Sequence, residues 1–427
     1  MRLTWRVSRK QGIAIKAIGM MLLAAVLIGS LLAGTVGQVS ADGMPGPQYG
    51  ERGPSSKDPM PASIELKPSS WVLKLQTKDP SVIVTDGMTY VSVQRLSSMF
   101  TDLLWVADYK AGVFRSAGPN HTLIWPKGSK QAVVNGNKRT MAGAALLKDD
   151  MYYLPLRDVV KWAGGSIEMK KSGEVEVRYT VRSMRTGNQQ QWFWVRRDNG
   201  IVYTSTGTEM PHWIGQTPVR AEEEYSISTV KLADDSTMLS VIHSYGPEIV
   251  EGQRWQSDRY RMIVYRGKLV RQSFVHYTGR DPIHYPETAE GYALLLDGNE
   301  LQIVKPDGSL KQRINLKDVM DNNGYPYDIA CMVEYVSPSE GIALIKPYRL
   351  VKNMLLFDFR TKKVVELYKE LLTEDEIAII DKWKIPSDMG NTGDMIEFVR
   401  RDGNELVFKH AHLVNGTVSE LRYTLSS

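Results

Sequence analysis

The chain has 427 residues, 42% of them apolar and 24% charged, which excludes a mostly disordered, collagen-like or multi-span membrane protein and suits two or three compact units. Its formal charge of +5 would ordinarily point towards nucleic acid or an anionic surface. Arg2, Arg6, Arg9, Lys10 and Lys16 account for all of that excess, because residues 1–41 hold no acid, and from Asp42 onward the chain is neutral. With no basic cluster in the body, no nucleic-acid partner is expected.

Behind the basic stretch, residues 17–36 (AIGMMLLAAVLIGSLLAGTV) carry no charge and lead to Val39-Ser40-Ala41. A basic segment, an apolar segment and a small-x-small site form a secretory signal, with cleavage expected between Ala41 and Asp42. The alternative is an uncleaved anchor, since twenty residues at about 1.5 Å each just cross a bilayer core of about 30 Å. It would be the only membrane attachment, and the positive flank places the body outside the cytoplasm in either case: secreted or at the cell surface. The single cysteine, Cys331, permits no intrachain disulfide and lies too far from the signal for a lipid anchor. In IACMVEY it reads as a small buried apolar residue.

Residues 42–80 are dense in Pro, Gly and Ser and read as a linker. A duplication follows. TYVSVQRL at 89–96 matches YYLPLRDV at 152–159, so that Tyr90 aligns with Tyr153, Val91 with Leu154, Ser92 with Pro155 and Val93 with Leu156. Each copy is preceded by a turn, DGM at 86–88 and DDM at 149–151, and followed by a short helical pattern. In the second copy Pro155 suits a first helical turn, Gly164 and Gly165 a stop, and Ile167, Met169, Val175, Val177 and Tyr179 a hairpin around KKSGE. Between the copies, strands alternate around Gly128 with a tight turn at Asn135-Gly136.

The run IWPKGSKQAVVNGNKRTM, followed by YYLPLRDVVKWAGGSIEM and EVEVRY, resembles the stalk domain of exported bacterial proteins, also called the copper amine oxidase N-terminal-like domain. The likeness covers about residues 81–180; the first copy departs from it, with Ser92 and Gln94 where the family has proline and arginine. It implies an α+β domain over 81–181 that serves as a spacer or attachment module and holds no copper. The catalytic part of such enzymes needs a quinone-forming tyrosine in an Asn-Tyr-Asp/Glu setting and three histidines; the nearest string here is NNGYPYD at 322–328. No cofactor is expected. His410 and His412 would share a strand face and are the candidates for a metal, with no third ligand nearby. The plainer reading is two polar residues on an exposed strand face.

From residue 182 to 427 the chain consists of β-rich runs separated by turn signals, with starts at 291, 341 and 394. Units of about 50 residues with three or four antiparallel strands predict a mostly-β repeat module that is propeller-like, about five units long; tandem β-sandwiches are the alternative. One helix is expected at 371–384, opened by a capping box at Thr373 and Glu376.

No nucleophile elbow, zinc-protease, Walker or dinucleotide motif is present, and the acids offer no pairing that spacing singles out. Trp192, Trp194, Trp213 and Trp255, near His212 and Tyr203, are the candidate binding aromatics, although Trp192 and Trp194 on one strand face also suit a sheet core. The expectation is an exported, non-enzymatic envelope protein: a stalk-like spacer carrying a binding module for cell-wall glycan or another envelope protein. A secreted hydrolase of a glycan or peptide, with carboxylates gathered in the β module, is the alternative. A structural coat or assembly component is the second.

Overall fold

A computed structural model of the chain describes residues 60–74, 79–188, 190–222, 225–245, 256–278, 286–297, 300–322, 331–347, 353–382 and 393–425. The expected signal with Ala41 and Asp42, most of the linker, Trp255 and positions 323–328 of the NNGYPYD string lie outside these residues, as does the side chain of Cys331.

The duplicated motif forms one structural unit with itself. Strands Met88–Ser92 and Met151–Pro155 pair antiparallel, Tyr90 opposite Pro155, Val91 opposite Leu154 and Ser92 opposite Tyr153. Equivalent positions of the two copies therefore cross at Val91 and Leu154, both fully buried, which puts a local two-fold axis through that pair. Each strand is the second of a hairpin, entered through two consecutive left-handed residues: Asp86 (φ 49°) and Gly87 (φ 71°) in one, Asp149 (φ 49°) and Asp150 (φ 57°) in the other. Two positive φ values in a row are what a hairpin with right-handed strand twist requires.

Each strand then runs into a helix, Val93–Met99 or Leu156–Ala163. Where the first copy lacks proline, the Ser92 hydroxyl caps the helix by accepting from the Arg95 amide at 3.3 Å. In the second copy Pro155 supplies no side-chain cap, and left-handed Gly164 (φ 80°) closes the helix. Leu96, Phe100, Phe114, Trp125, Tyr152 and Val160, each 1% exposed or less, pack between the helices, a five-stranded meander over 104–140 and a three-stranded sheet joining Ser69–Lys74 to the hairpin 166–179. Burying side chains of this size contributes about 1.5–3 kcal/mol each.

From residue 183 the chain forms five antiparallel sheets in sequence, each with its strands in chain order: 183–216, 225–278, 288–315 and 331–366 with four strands each, and 396–424 with three. Alternation of side chains across each strand gives every sheet two faces, and in the middle of the series both faces are apolar. Leu239, Val241, Tyr260 and Met262 of the second sheet join Phe193, Val195 and Val202 of the first. On its other face Met238 and Ile263 meet Ala293, Leu295 and Val304 of the third. Leu294 and Ile303 of the third meet Ala343 and Ile345 of the fourth. Leu344 and Leu356 of the fourth meet Ile396, Leu406 and Phe408 of the fifth. The expected starts at 291, 341 and 394 fall beside Tyr292, Ile342 and Ile396; the first two open the second strands of their sheets and the last the first strand, so that spacing marks strands rather than sheet boundaries.

The series ends in a charged face. Arg400, Asp402, Glu405, Glu420 and Arg422 interlock across the outer face of the fifth sheet, each roughly half exposed or less. At the other end, Trp194 of the first sheet packs on Leu104 and Ala117 of the five-stranded meander. Asp102, 4% exposed, ties this contact: its carboxylate accepts from Tyr179 Oη at 2.8 Å and the Arg182 amide at 3.0 Å, and its carbonyl accepts from Trp194 Nε1 at 2.8 Å. Burial pushes this carboxyl above the ordinary range against the pull of those donors.

Candidate functional site

The candidate aromatics do not converge. Trp194 is fully buried with its N–H spent on Asp102, and Trp192 packs beside it under the Arg185 guanidinium, 5.0 Å from the ring centroid. Both fill the contact with the meander, the sheet-core role that their shared strand face allowed. Trp213 stands alone at 65% exposure, and Trp255 lies outside the described residues.

His410 and His412 do share a face, with ring centroids 6.4 Å apart, but the expected exposed face is corrected: His410 is only 2% exposed. Its Nε2 is 2.9 Å from Glu376 Oε1, which also accepts from the Leu413 amide at 3.0 Å; Oε2 accepts from Thr373 Oγ1 at 3.0 Å. Glu376 is itself 2% exposed and belongs to helix Glu374–Lys382, inside the expected 371–384 span, whose last two positions lie outside the described residues. Burial raises its carboxyl, but the Leu413 amide and the His410 and Thr373 side chains outweigh this and hold it down at about 2. This is a clamp that fastens a helix to the fifth sheet. Among the described residues no group of three or more His, Cys, Asp or Glu is arranged to hold a metal.

The strongest convergence of polar and aromatic groups lies elsewhere. His243, Asp258 and His276 are direct cross-strand neighbours on three adjacent strands of the second sheet, at the end of the face that meets the first sheet. His276 Nδ1 is 2.7 Å from Asp258 Oδ1, while His243 Nδ1 is 3.9 Å from Oδ2. Tyr245 stacks on His243 with centroids 4.8 Å apart and places its hydroxyl 3.4 Å from His276 Nδ1. One strand pair inward, Tyr260 stacks on Phe274 at 4.6 Å. Burial raises the Asp258 carboxyl, but the two imidazoles beside it prevail and hold it below the usual range.

His243, Tyr245, Asp258, Tyr260 and Phe274 line a cavity of about 600 Å³, with His276 bonded to Asp258 at its edge, within the range of ordinary ligand sites. The connector from the first sheet to the second supplies Pro218, Arg220 and Glu222 to its wall, and the segment before the first strand supplies Pro61 and Ile64. Arg220 is fixed from three sides: Nη1 donates to the Val219 carbonyl at 2.6 Å, Nε to the Ala62 carbonyl at 2.8 Å and Nη2 to the Pro61 carbonyl. Ile64 donates its amide to the Asp198 carbonyl at 3.0 Å. His243, 8% exposed, makes no hydrogen bond through Nδ1. The arrangement offers ring faces, one ionised carboxylate enclosed by imidazoles, and a guanidinium committed to main-chain carbonyls.

Sequence reasoning missed this site because its members are 15 and 18 positions apart, at no motif spacing. The turn at Arg266-Gly267 sets the hairpin, but a register shift between Ile263 and Val264, which no motif marks, is what places Asp258 opposite His276 and not Val275.

No family model and no curated protein matches the chain. Three solved structures are similar at low level. The dihydro-heme d1 dehydrogenase NirN in complex with DHE is 11% identical, with a TM-score of 0.17, over 61% of this chain and 65% of that one. A protein of unknown function from Bacteroides caccae is 10% identical at 0.19, over 68% and 82%, and the AfRom2 CNH domain 11% identical at 0.19, over 76% and 94%. The chain thus spans just under two thirds of the length of NirN. TM-scores this low carry no argument about architecture or activity.

Proposed function

We propose that the chain is an exported envelope protein in which a stalk-like spacer carries a propeller-like, non-enzymatic binding module whose ligand site is the His243–Asp258–His276 cavity. The observation that carries the reading is the cavity wall itself: the Tyr245, Tyr260 and Phe274 rings beside a polar row, with its carboxylate closed between two imidazoles. The propeller-like reading rests on sheets in chain order with apolar packing on both faces of the second, third and fourth; paired sandwiches would leave a polar face on each sheet. The stalk-like reading rests on the family pattern over 81–180 and the internal pairing of the two copies. The basic-apolar N-terminal stretch supports export.

Of the two partner classes, wall glycan and envelope protein, the cavity favours protein, because polypeptide already lines its wall at Pro61 and Ile64. The test is co-sedimentation of the full chain with envelope fragments that retain their attached proteins, with assays for released reducing ends and new amino termini. Saturable binding, weakened about tenfold by Tyr245→Ala, with neither product released, is the expected result. Release of either product overturns the non-enzymatic reading.

A further inference from the structure

Resting on the reading of this cavity as a ligand site, we infer that it is built to bind an extended, proline-containing polypeptide through its main chain, and that residues 60–66 of the chain are its resident occupant. The contacts to this segment are of one kind. The Arg220 fork takes two successive carbonyls, those of Pro61 and Ala62, and the Asp198 carbonyl takes the Ile64 amide two residues further on. A planar guanidinium fits two nearby acceptors in a fixed geometry, and a proline, with its φ fixed, limits the backbone courses by which the Pro61 and Ala62 carbonyls can be presented.

The segment lies against the body rather than inside it. Met60, Pro61, Ala62 and Ser63 are exposed, and Met60 keeps 43% of its surface. Recognition of carbonyls and an amide demands little of the sequence bound, so a segment from a partner chain with the same backbone course meets the same donors and acceptor. On the cavity wall behind the segment, His243 Nδ1 faces Asp258 Oδ2 at 3.9 Å, so the polar row is committed to itself and the segment is held by main-chain contacts alone. The tethered segment competes at a high effective concentration, so a free peptide meets a site already taken.

The experiment uses the full chain and, as probe, a fluorescein-labelled synthetic peptide of residues 60–68 (MPASIELKP) in polarisation titrations. Replacing residues 60–66 in the chain by a Gly/Ser stretch of equal length should tighten probe binding by roughly tenfold or more over wild type. Adding Arg220→Lys, which keeps the charge and loses the fork, should weaken it about tenfold again. A probe with Pro61 replaced by glycine, which frees the backbone, should bind severalfold less, whereas scrambling the other side chains with the proline kept in place should change binding little. Thermal melts of each variant show that it is folded. A folded Gly/Ser variant that binds the probe no better than wild type, or that binds it equally well after Arg220→Lys is added, overturns the inference and makes residues 60–66 a structural clasp. If the probe fails while Tyr245-dependent binding to protein-stripped wall glycan is found, the cavity remains a ligand site and only the peptide assignment falls. If neither binds, both readings fall.

Discussion

Single residues in this chain show where local chemistry was bent to topology. Asp150 holds φ 57° at the second position of a two-residue hairpin turn, where the matching position of the first copy is Gly87. A left-handed conformation costs a non-glycine residue about 1 kcal/mol that glycine does not lose. Asp150→Gly should therefore stabilise the protein by about 0.5–1 kcal/mol, less the extra unfolded-state entropy of glycine, read as an upward shift of the urea midpoint. An unchanged or lowered midpoint would mean that the Asp150 side chain contributes more than its backbone costs. The comparison that identifies this residue was legible in the sequence, because DGM and DDM precede the same motif. The burial of His410 was not legible, since its partner Glu376 comes from a helix 34 positions away and only packing brings the two together.

At the scale of elements, local signals predicted best and contacts between distant elements worst. Turns at Asn135-Gly136 and within KKSGE fixed their hairpins, so Ile167 opposite Val177 and Met169 opposite Val175 follow from alternation alone. The pairing of the two copies with each other follows from no local pattern. Neither does the joint at Asp102, whose partners Tyr179, Arg182 and Trp194 come from the end of the α+β part and from the first β sheet. That joint is testable. Asp102→Ala leaves the Tyr179 hydroxyl and the Arg182 amide unpaired in a buried site, a cost of about 1–3 kcal/mol for each. Tyr179→Phe removes one donor and leaves the carboxylate its backbone partner. Denaturant titrations should rank Asp102→Ala as the more destabilising, by about 2–4 kcal/mol against about 1 for Tyr179→Phe. Equal small losses would show that water replaces these bonds and that apolar packing around Trp194 alone holds the joint.

Across the whole molecule, the order of the sheets decides which groups meet. Each middle sheet shares a core with the sheet before and the sheet after, so stability is carried by neighbour-to-neighbour contacts, and carboxyls sit at several of them: Asp102 at the first, the His243–Asp258–His276 row at the next, and at the last Glu376 and the fully buried Asp394, which accepts from the Met354 amide at 2.6 Å and the Ile396 amide at 3.1 Å. These carboxyls respond oppositely to acid. Asp102 and Asp394 have their protonation raised by burial, so the protons they take up in the folded state relieve strain as pH falls towards the carboxylate range. In Glu376 burial also raises the carboxyl, but the Leu413 amide and the His410 and Thr373 side chains outweigh it; in Asp258 the two histidines do the same. The stability these two groups contribute is present above the unfolded carboxylate value near 4 and disappears as pH falls through it towards their lowered folded values. The urea midpoint should accordingly hold steady or rise slightly from pH 7 to about 5, then drop steeply below about 4.5. Glu376→Gln keeps the shape of the side chain and removes its titration, so the variant should be less stable at pH 7, and the gap to the wild type should narrow below about pH 4.5 and close only as pH falls to about 2. Curves that run parallel down to about pH 3 would mean that the Glu376 clamp does not titrate with unfolding, and the acid sensitivity would then have to come from the Asp258 row, where Asp258→Asn is the corresponding variant.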